Sequence, residues 1–293
     1  MDRRQLMVGA SALAAASVAP AWAAAFASNR ISVETQGTGP DVVLIHGLSS
    51  HRDVWESTVE AAPGYRYHLV QMAGMGGVPA GGNAQGPVAA PVAEDIARYI
   101  RDSGLMRPAV IGHSMGGAIA LMLAARHPDL VGKVLVVDML PFMGAMFGPP
   151  PMTPEKARPM ADQIRGLMIH APQSMYDQQL TETVGSMVKD ETLRPRVIAD
   201  SQRSDRTVAA NAFHELVVTD LRPELARITA PVTVLYVTPN GSPLNDQQMD
   251  AAYAASYAGL KGVRLVRIPD AWHFIMWDQP ARFQAEMKAF LAA

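Results

Sequence analysis

The sequence predicts an α/β protein in which a mostly parallel β-sheet is flanked by helices and carries an inserted helical lid. Three patterns lead to this prediction. Short apolar, β-branched runs recur along the chain, helical periodicities separate most of them, and one long segment contains no strand pattern. With 293 residues, of which 49% are hydrophobic, the chain can bury a substantial core.

Six apolar runs are predicted to be strands. Each is short and bounded by turn residues, which is typical of strands buried on both faces of a parallel sheet. They occupy residues 41–45, 67–70, 109–111, 134–137, 232–236 and 263–266. Ahead of them, the segment 31–39 predicts an antiparallel hairpin at the edge of the sheet. Helices are predicted where apolar side chains recur at helical spacing, at residues 91–102, 118–126 and 281–291.

Residues 140–206 break the alternation of strands and helices. Eight of the 18 methionines fall between Met139 and Met187. Because methionine is flexible and polarisable, this enrichment suits an adaptable apolar surface. We therefore predict a helical lid at residues 140–206, inserted between core segments at residues 24–139 and 207–293. The alternative is an ordinary helical layer in which methionines fill gaps.

The first 23 residues predict an export signal. A charged start that includes Arg3 and Arg4 precedes an Ala/Gly/Ser/Val run at residues 8–19, and residues 21–23 offer a small-x-small cleavage site. The pattern resembles a bacterial twin-arginine signal, although Asp2 stands where Ser or Thr is more usual. The apolar run is shorter than the ~20 residues that span a membrane. We expect a periplasmic or secreted mature protein with no stable membrane anchor.

Composition argues against several classes of partner. The formal net charge of −2, without a run of Lys or Arg, gives no reason to expect a nucleic acid or an anionic membrane. The absence of cysteine excludes disulfides, thiolate zinc sites and a cysteine nucleophile.

A possible nucleophile lies between the predicted strand at 109–111 and the helix at 118–126. The residues there read VIGHSMGGA and contain the motif G-x-S-x-G. Gly112 and Gly116 permit a sharp, strained turn that presents Ser114 at the carboxyl end of the strand. The alternative interpretation is a Gly/Ser turn that only closes a βα unit.

With this motif the chain resembles the α/β-hydrolase family, in particular its lid-bearing serine esterases. The resemblance implies that the sequence IHGL, which includes Gly47, forms a loop that contributes to an oxyanion hole. Its donors would be the backbone N–H groups of Leu48 and Met115. The resemblance also implies that His273, which follows the last strand, is the general base. It implies no metal and no organic cofactor.

The residue that orients the histidine is open between three candidates. In the family the acid commonly follows the strand that here occupies residues 232–236, but no carboxylate stands directly after it. Asp138 closes the strand at 134–137, a position that some relatives use for the acid. Asn240 can accept the imidazole N–H as an amide does in Cys-His-Asn sites. Asp246 stands at a predicted helix start, where a carboxylate usually caps the helix.

These patterns together predict a secreted carboxylesterase that acts on a small to medium apolar ester through an acyl-enzyme on Ser114. A C–C bond hydrolase, a cofactor-free perhydrolase or a hydroxynitrile lyase would show nearly the same motifs, because a fold does not determine a reaction. A non-catalytic ligand-binding protein of the same fold is the alternative from another class. This last alternative is motivated by the lack of a carboxylate directly after residue 236.

Overall fold

The structure is a computed structural model that describes residues 26–148 and 151–293. The predicted export signal at residues 1–23 lies outside the described residues. Within them, no helix combines the length and the apolar character needed to cross a membrane.

Seven strands form one sheet, in the order β1-β3-β2-β4-β5-β6-β7. They are β1 (Ile31–Gly37), β2 (Asp41–Ile45), β3 (Arg66–Met72), β4 (Ala109–His113), β5 (Lys133–Val137), β6 (Val232–Tyr236) and β7 (Arg264–Arg267). All neighbouring pairs are parallel except β1 and β3. The predicted class, a mostly parallel α/β sheet, is confirmed.

The predicted edge hairpin was wrong in its pairing. β1 is an antiparallel edge strand, but it pairs with β3, so that Ile31 lies opposite Met72. β2 instead pairs with β3 and β4. The burial of the two strands explains the difference: β2 is almost entirely buried and takes an interior place, whereas most residues of β1 are partly or fully exposed and suit an edge.

Ten α-helices lie within the described residues. They are α1 (Glu56–Ala61), α2 (Ala89–Asp102), α3 (Met115–Arg126), α4 (Pro154–His170), α5 (Gln173–Met187), α6 (Arg194–Arg203), α7 (Arg206–Val218), α8 (Asp246–Ser256), α9 (Ile275–Asp278) and α10 (Pro280–Ala292). Alternate side chains of β2 pack into two apolar layers. Val43 and Ile45 belong to the layer with α2 and α3, whereas Val42 and Leu44 belong to the layer with α10. The sheet is therefore covered on both faces.

Helices α4 to α7 form the connection between β5 and β6, in which the described residues contain no strand. Helix α7 begins at the predicted boundary between lid and core. It packs against α4 and also against α2, and its Val208, Ala212 and Leu216 join the apolar layer of α2 and α3. Helix α7 thus links the inserted helices to the core.

Candidate active site

Ser114 occupies the turn between β4 and α3, with φ 54° and ψ −122°. The turn is compact because glycines flank it. A Cβ added to Gly112 would lie 2.1 Å from the carbonyl oxygen of Gly116, and one added to Gly116 would lie 2.2 Å from that of Ile45. The Ser114 N–H donates to the carbonyl oxygen of Val137 at 2.9 Å, which ties the turn to β5. These contacts give the strained strand-to-helix turn that the motif predicts.

His273 and Asp138 come together at the carboxyl edge of the sheet. The imidazole Nδ1 lies 2.6 Å from Asp138 Oδ2. Because a carboxylate only accepts, Nδ1 carries the proton, and Nε2 of the neutral ring is then an acceptor. The other carboxylate oxygen, Oδ1, accepts from the N–H of Val237 and from the hydroxyl of Tyr253, each at 3.2 Å. The carboxylate is therefore oriented on both sides.

The other two candidates for the acid lie elsewhere. Asn240 is exposed in the loop after β6. Asp246 begins α8, where its carboxylate accepts from Thr238 Oγ1 and from Arg267, both at 2.7 Å. Within the part of the chain that the structure describes, neither residue bonds to His273. Of the three, Asp138 is the one that reaches the imidazole.

Two backbone N–H groups are placed as candidate oxyanion donors. Met115 is the first residue of α3, so its N–H has no acceptor within the helix and lies at the positive end of the helix dipole. Leu48 follows β2 and lines the same cavity as Ser114. A Cβ added to Gly47 would lie 3.1 Å from Ser114 Cβ, which shows how closely this loop packs against the turn.

Two buried histidines support the loops of the site. His46 donates from Nδ1 to the carbonyl oxygen of Gly47 at 2.8 Å and accepts the N–H of Met72 on Nε2 at 3.1 Å. Burial lowers the pKa of His46 to about 3. His113 donates from Nε2 to the carbonyl oxygen of His273 at 3.0 Å. Burial, with a smaller effect of the neighbouring His273, lowers the pKa of His113 well below 6.5. Both rings are neutral supports.

The sequence reasoning missed two residues that support the His273–Asp138 pair. Asp278 accepts the N–H of Trp272 at 2.8 Å and that of Lys189 at 3.1 Å, so it fixes the loop before the histidine. Its position shortly after His273, just before the last helix, was a usable signal. Tyr253 carried no such signal, because it lies 115 residues from Asp138 in the chain.

A cavity of about 490 Å³ opens above Ser114 and His273. Most of its wall comes from apolar side chains of the inserted helices, and none of the described Asp, Glu, Lys or Arg side chains lines it. The inserted segment contributes Met143, Ile164, Leu167, Met168, Met175, Tyr176, Leu180, Val184 and Met187. Such a wall accommodates an uncharged, largely apolar group. The described residues contain no group of three or more His, Cys, Asp or Glu placed to hold a metal ion.

A serine on a strained strand-to-helix turn, near a histidine that is paired with a carboxylate, defines the class of α/β proteins built around a nucleophile elbow. Comparison with known proteins agrees. The sequence profile described as the alpha/beta hydrolase family matches residues 42–286. The chain belongs to the α/β hydrolase family.

Relatives and similar structures include several esterases. The pimeloyl-[acyl-carrier protein] methyl ester esterase of Nitrosomonas europaea is 27% identical over 267 residues, which span 86% of this chain and 96% of the relative. The solved esterase of Exiguobacterium antarcticum has a TM-score of 0.74 at 22% identity. The match covers 90% of this chain and 96% of the esterase chain. The enol-lactonase of Burkholderia xenovorans has a TM-score of 0.72 at 19% identity, with coverage of 90% and 96%. At these identities the two structures establish the fold.

Proposed function

We propose that the protein is a serine hydrolase that cleaves an apolar carboxylic ester through an acyl-enzyme on Ser114. The observation that carries this proposal is the 2.6 Å contact between His273 and Asp138 beside an elbow serine, with Ser114 and His273 lining one apolar cavity. The esterase names of the relatives support the same class of reaction.

In the proposed reaction, Ser114 Oγ attacks the ester carbonyl while His273 Nε2 accepts its proton. The negative charge that develops on the carbonyl oxygen is held by the N–H groups of Leu48 and Met115, and one such donor contributes roughly 10²–10³ to the rate. His273 then donates its proton to the leaving alcohol. A water molecule, activated by the same imidazole, releases the carboxylic acid and restores Ser114. Asp138 stabilises the imidazolium that forms in each half of the reaction.

The expected substrate is a small to medium ester whose acyl or alcohol group is uncharged. A charged group would lose its hydration without a partner of opposite charge, because within residues 26–148 and 151–293 no Asp, Glu, Lys or Arg side chain lines the cavity. The relative from Nitrosomonas europaea is named for a methyl ester. A small alcohol such as methanol is therefore a reasonable leaving group for this chain.

The test is labelling with a fluorophosphonate, followed by location of the modified residue by mass spectrometry. We expect stoichiometric labelling at Ser114 and none in Ser114→Ala. Hydrolysis of p-nitrophenyl esters of graded chain length then gives the substrate range. Labelling without turnover of any ester, together with cleavage of a diketone or a cyanohydrin, would favour the C–C hydrolase or lyase alternative. A folded protein without labelling would favour the ligand-binding alternative.

We also propose that the protein is exported and works in the periplasm or outside the cell. The support is the signal-like composition of the first 23 residues, which include Arg3 and Arg4. Fractionation of cells that express the full chain should recover a shortened protein outside the cytoplasm. Replacement of both arginines by lysine should retain the full-length protein inside.

A further inference from the structure

A side chain of α8 donates a hydrogen bond to the carboxylate of Asp138. Its Oδ1 accepts the hydroxyl of Tyr253 at 3.2 Å, while its Oδ2 faces His273 Nδ1. We infer that Tyr253 is a positioning residue for the reaction, since it holds the Asp138 carboxylate in the orientation that serves His273. This inference rests on the function proposed above.

The surroundings of Tyr253 fix its hydroxyl. The residue is only 5% exposed, and its ring stacks on that of Tyr236 with centroids 4.0 Å apart and planes at 16°. Tyr236 is held in turn, because its hydroxyl donates to Asp250 Oδ1 at 2.9 Å. Burial, with a smaller effect of the Asp138 charge, raises the pKa of Tyr253 well above 10, so the hydroxyl keeps its proton. It is a permanent, pre-oriented donor.

The position of the acid explains why this donor is needed. Asp138 follows β5, at φ 54°, and β6 ends beside it without a carboxylate of its own. The backbone after β6 instead supplies the Val237 N–H, at 3.2 Å. The second donor comes from Tyr253 in α8. Because Asp138 is 9% exposed, water makes little contribution to holding it.

The hydroxyl also affects the charge that His273 experiences. A donor on Oδ1 withdraws negative charge from the carboxylate and so weakens the stabilisation of the imidazolium. Removal of the donor should strengthen the attraction between the carboxylate and the imidazolium and should loosen the carboxylate at the same time. The acidic limb of the pH profile of kcat/KM reports protonation of the essential base in the free enzyme, so this limb should move up when the donor is removed.

The neighbouring titratable groups do not interfere in that range of pH. His113 packs on the His273 ring, with centroids 4.6 Å apart, and burial lowers its pKa well below 6.5. Behind Asp138, burial raises the pKa of Tyr236 to about 12 and that of Tyr257 further above 10. These three neighbours therefore do not produce the acidic limb.

The experiment compares Tyr253→Phe with Tyr257→Phe on p-nitrophenyl butyrate between pH 5 and pH 9. Tyr257 is a matched control, since it is also buried and stacked but donates to the carbonyl oxygen of Met139 at 2.6 Å rather than to the acid. In Tyr253→Phe we expect kcat/KM to fall about 10-fold through kcat. We expect its acidic limb to move up by about half a pH unit. Tyr257→Phe should leave that limb where it is.

A more conservative substitution tests the inference even if Tyr253→Phe does not fold. Replacement of Tyr253 by a ring-fluorinated tyrosine keeps the shape and makes the hydroxyl a stronger donor, so the acidic limb should move down. In an Asp138→Asn background, Tyr253→Phe should cost little more, because the acceptor has already changed.

Two outcomes would overturn the inference: an acidic limb that stays fixed in both Tyr253 variants, or a full further 10-fold loss in the Asp138→Asn background. If the wild-type protein hydrolyses no ester, the proposed function fails instead. The two failures are thus distinguishable.

Discussion

Backbone strain at single residues concentrates around the candidate site. Of the five non-glycine residues with positive φ in the described chain, four lie in the loops that form it: Ser49, Ser114, Asp138 and Asp270. Each such conformation costs about 1–3 kcal/mol and persists only when its surroundings enforce it. At Asp138 the backbone N–H donates to the carbonyl oxygen of Leu235 at 2.7 Å, which locks the residue against β6. Contacts within the fold thus hold Asp138 in place.

Replacement of Asp138 by asparagine should lower kcat/KM by up to ~10⁴-fold, by analogy with the Asp-to-Asn change in serine proteases. The amide presents a donor to His273 and favours the wrong tautomer. Hydrolysis of p-nitrophenyl butyrate measures the effect. Asn240→Ala and Asp246→Asn are the controls, and each should stay within a few-fold of wild type. A larger loss in either control than in Asp138→Asn would reassign the acid.

Gly116→Ala should prevent stable folding. The new Cβ would lie 2.2 Å from the carbonyl oxygen of Ile45, so β2 and the turn would have to separate. Gly185→Ala is the control, because a Cβ there meets nothing within 4 Å and the residue lies inside α5. That change should stabilise the protein by about 0.5–1 kcal/mol. Thermal unfolding distinguishes the two, and a soluble, wild-type-like Gly116→Ala would contradict the close approach.

From the sequence, Ser114, His273 and the loop glycines were predicted as site residues, and the residue that orients the histidine was left open among three. Motifs identify residues whose backbone setting is local, such as a turn between a strand and a helix. The choice of acid depends on which strand end lies beside the histidine loop, and this is a property of sheet order. The role of Tyr253 could not be predicted from the sequence for the same reason. Roles that depend on contacts between distant segments needed the three-dimensional structure.

At the scale of elements, the corner between α4 and α5 is held by Arg206 at the start of α7. The guanidinium donates to the carbonyl oxygens of Met168 and Ala171, each at 2.9 Å, and its Cζ lies 4.3 Å from the centroid of the Tyr176 ring. Met168, Ala171 and Tyr176 all line the cavity. One arginine therefore fixes a large part of the cavity wall relative to the core.

Arg206→Lys should weaken this corner, because an ammonium cannot donate to both carbonyl groups in the same planar geometry. We expect KM for octanoate esters to rise about 3-fold or more, with kcat for acetate esters nearly unchanged. Arg203→Lys is the control, since that exposed side chain pairs only with Asp200 among the described contacts. Equal changes of KM in the two variants would show that the contacts of Arg206 do not affect binding of the octanoyl group.

All six strands predicted from the sequence are present. Five of them are largely buried, and a β-branched run buried on both faces is a strong local signal. The sixth, β7, is an edge strand of which no residue is fully buried, so the expectation of burial on both faces was wrong there. The partner of β1 was missed, since strand order depends on competition among distant segments for interior places. The same limit applies to the inserted helices. Their existence followed from the gap in the strand pattern, but the way α7 bridges α4 and α2 did not.

On the scale of the whole molecule, buried neutral histidines make stability depend on pH. Burial lowers the pKa of His46 to about 3 and that of His113 well below 6.5, whereas in the unfolded chain both titrate near 6.5. As pH falls below 6.5 the unfolded chain gains protons that the folded chain does not take up. Stability is therefore complete above about pH 6.5 and is lost as the pH falls toward the folded pKa values.

Urea unfolding between pH 6.5 and pH 5 should reveal this loss, with a slope approaching ~1.4 kcal/mol per pH unit for each of the two histidines. Burial also lowers the pKa of His68, which adds to the slope. His46→Gln should therefore lower the slope by the contribution of one histidine, whatever its effect on stability at pH 8. His170→Gln, at the exposed C-terminal end of α4, should leave the slope intact. An unchanged slope in His46→Gln would mean that His46 does not stay neutral in the folded protein.

The inserted helices leave the sheet after β5 and return at β6, and these two strands are neighbours. A longer, shorter or entirely different insert can therefore be accepted without a change in the register of any other strand pair. Most of the cavity wall therefore lies on a different stretch of the chain from Ser114 and His273. A change within the insert can thus alter the shape of the cavity without touching Ser114 or His273, and Asp138 lies at the boundary between β5 and the insert.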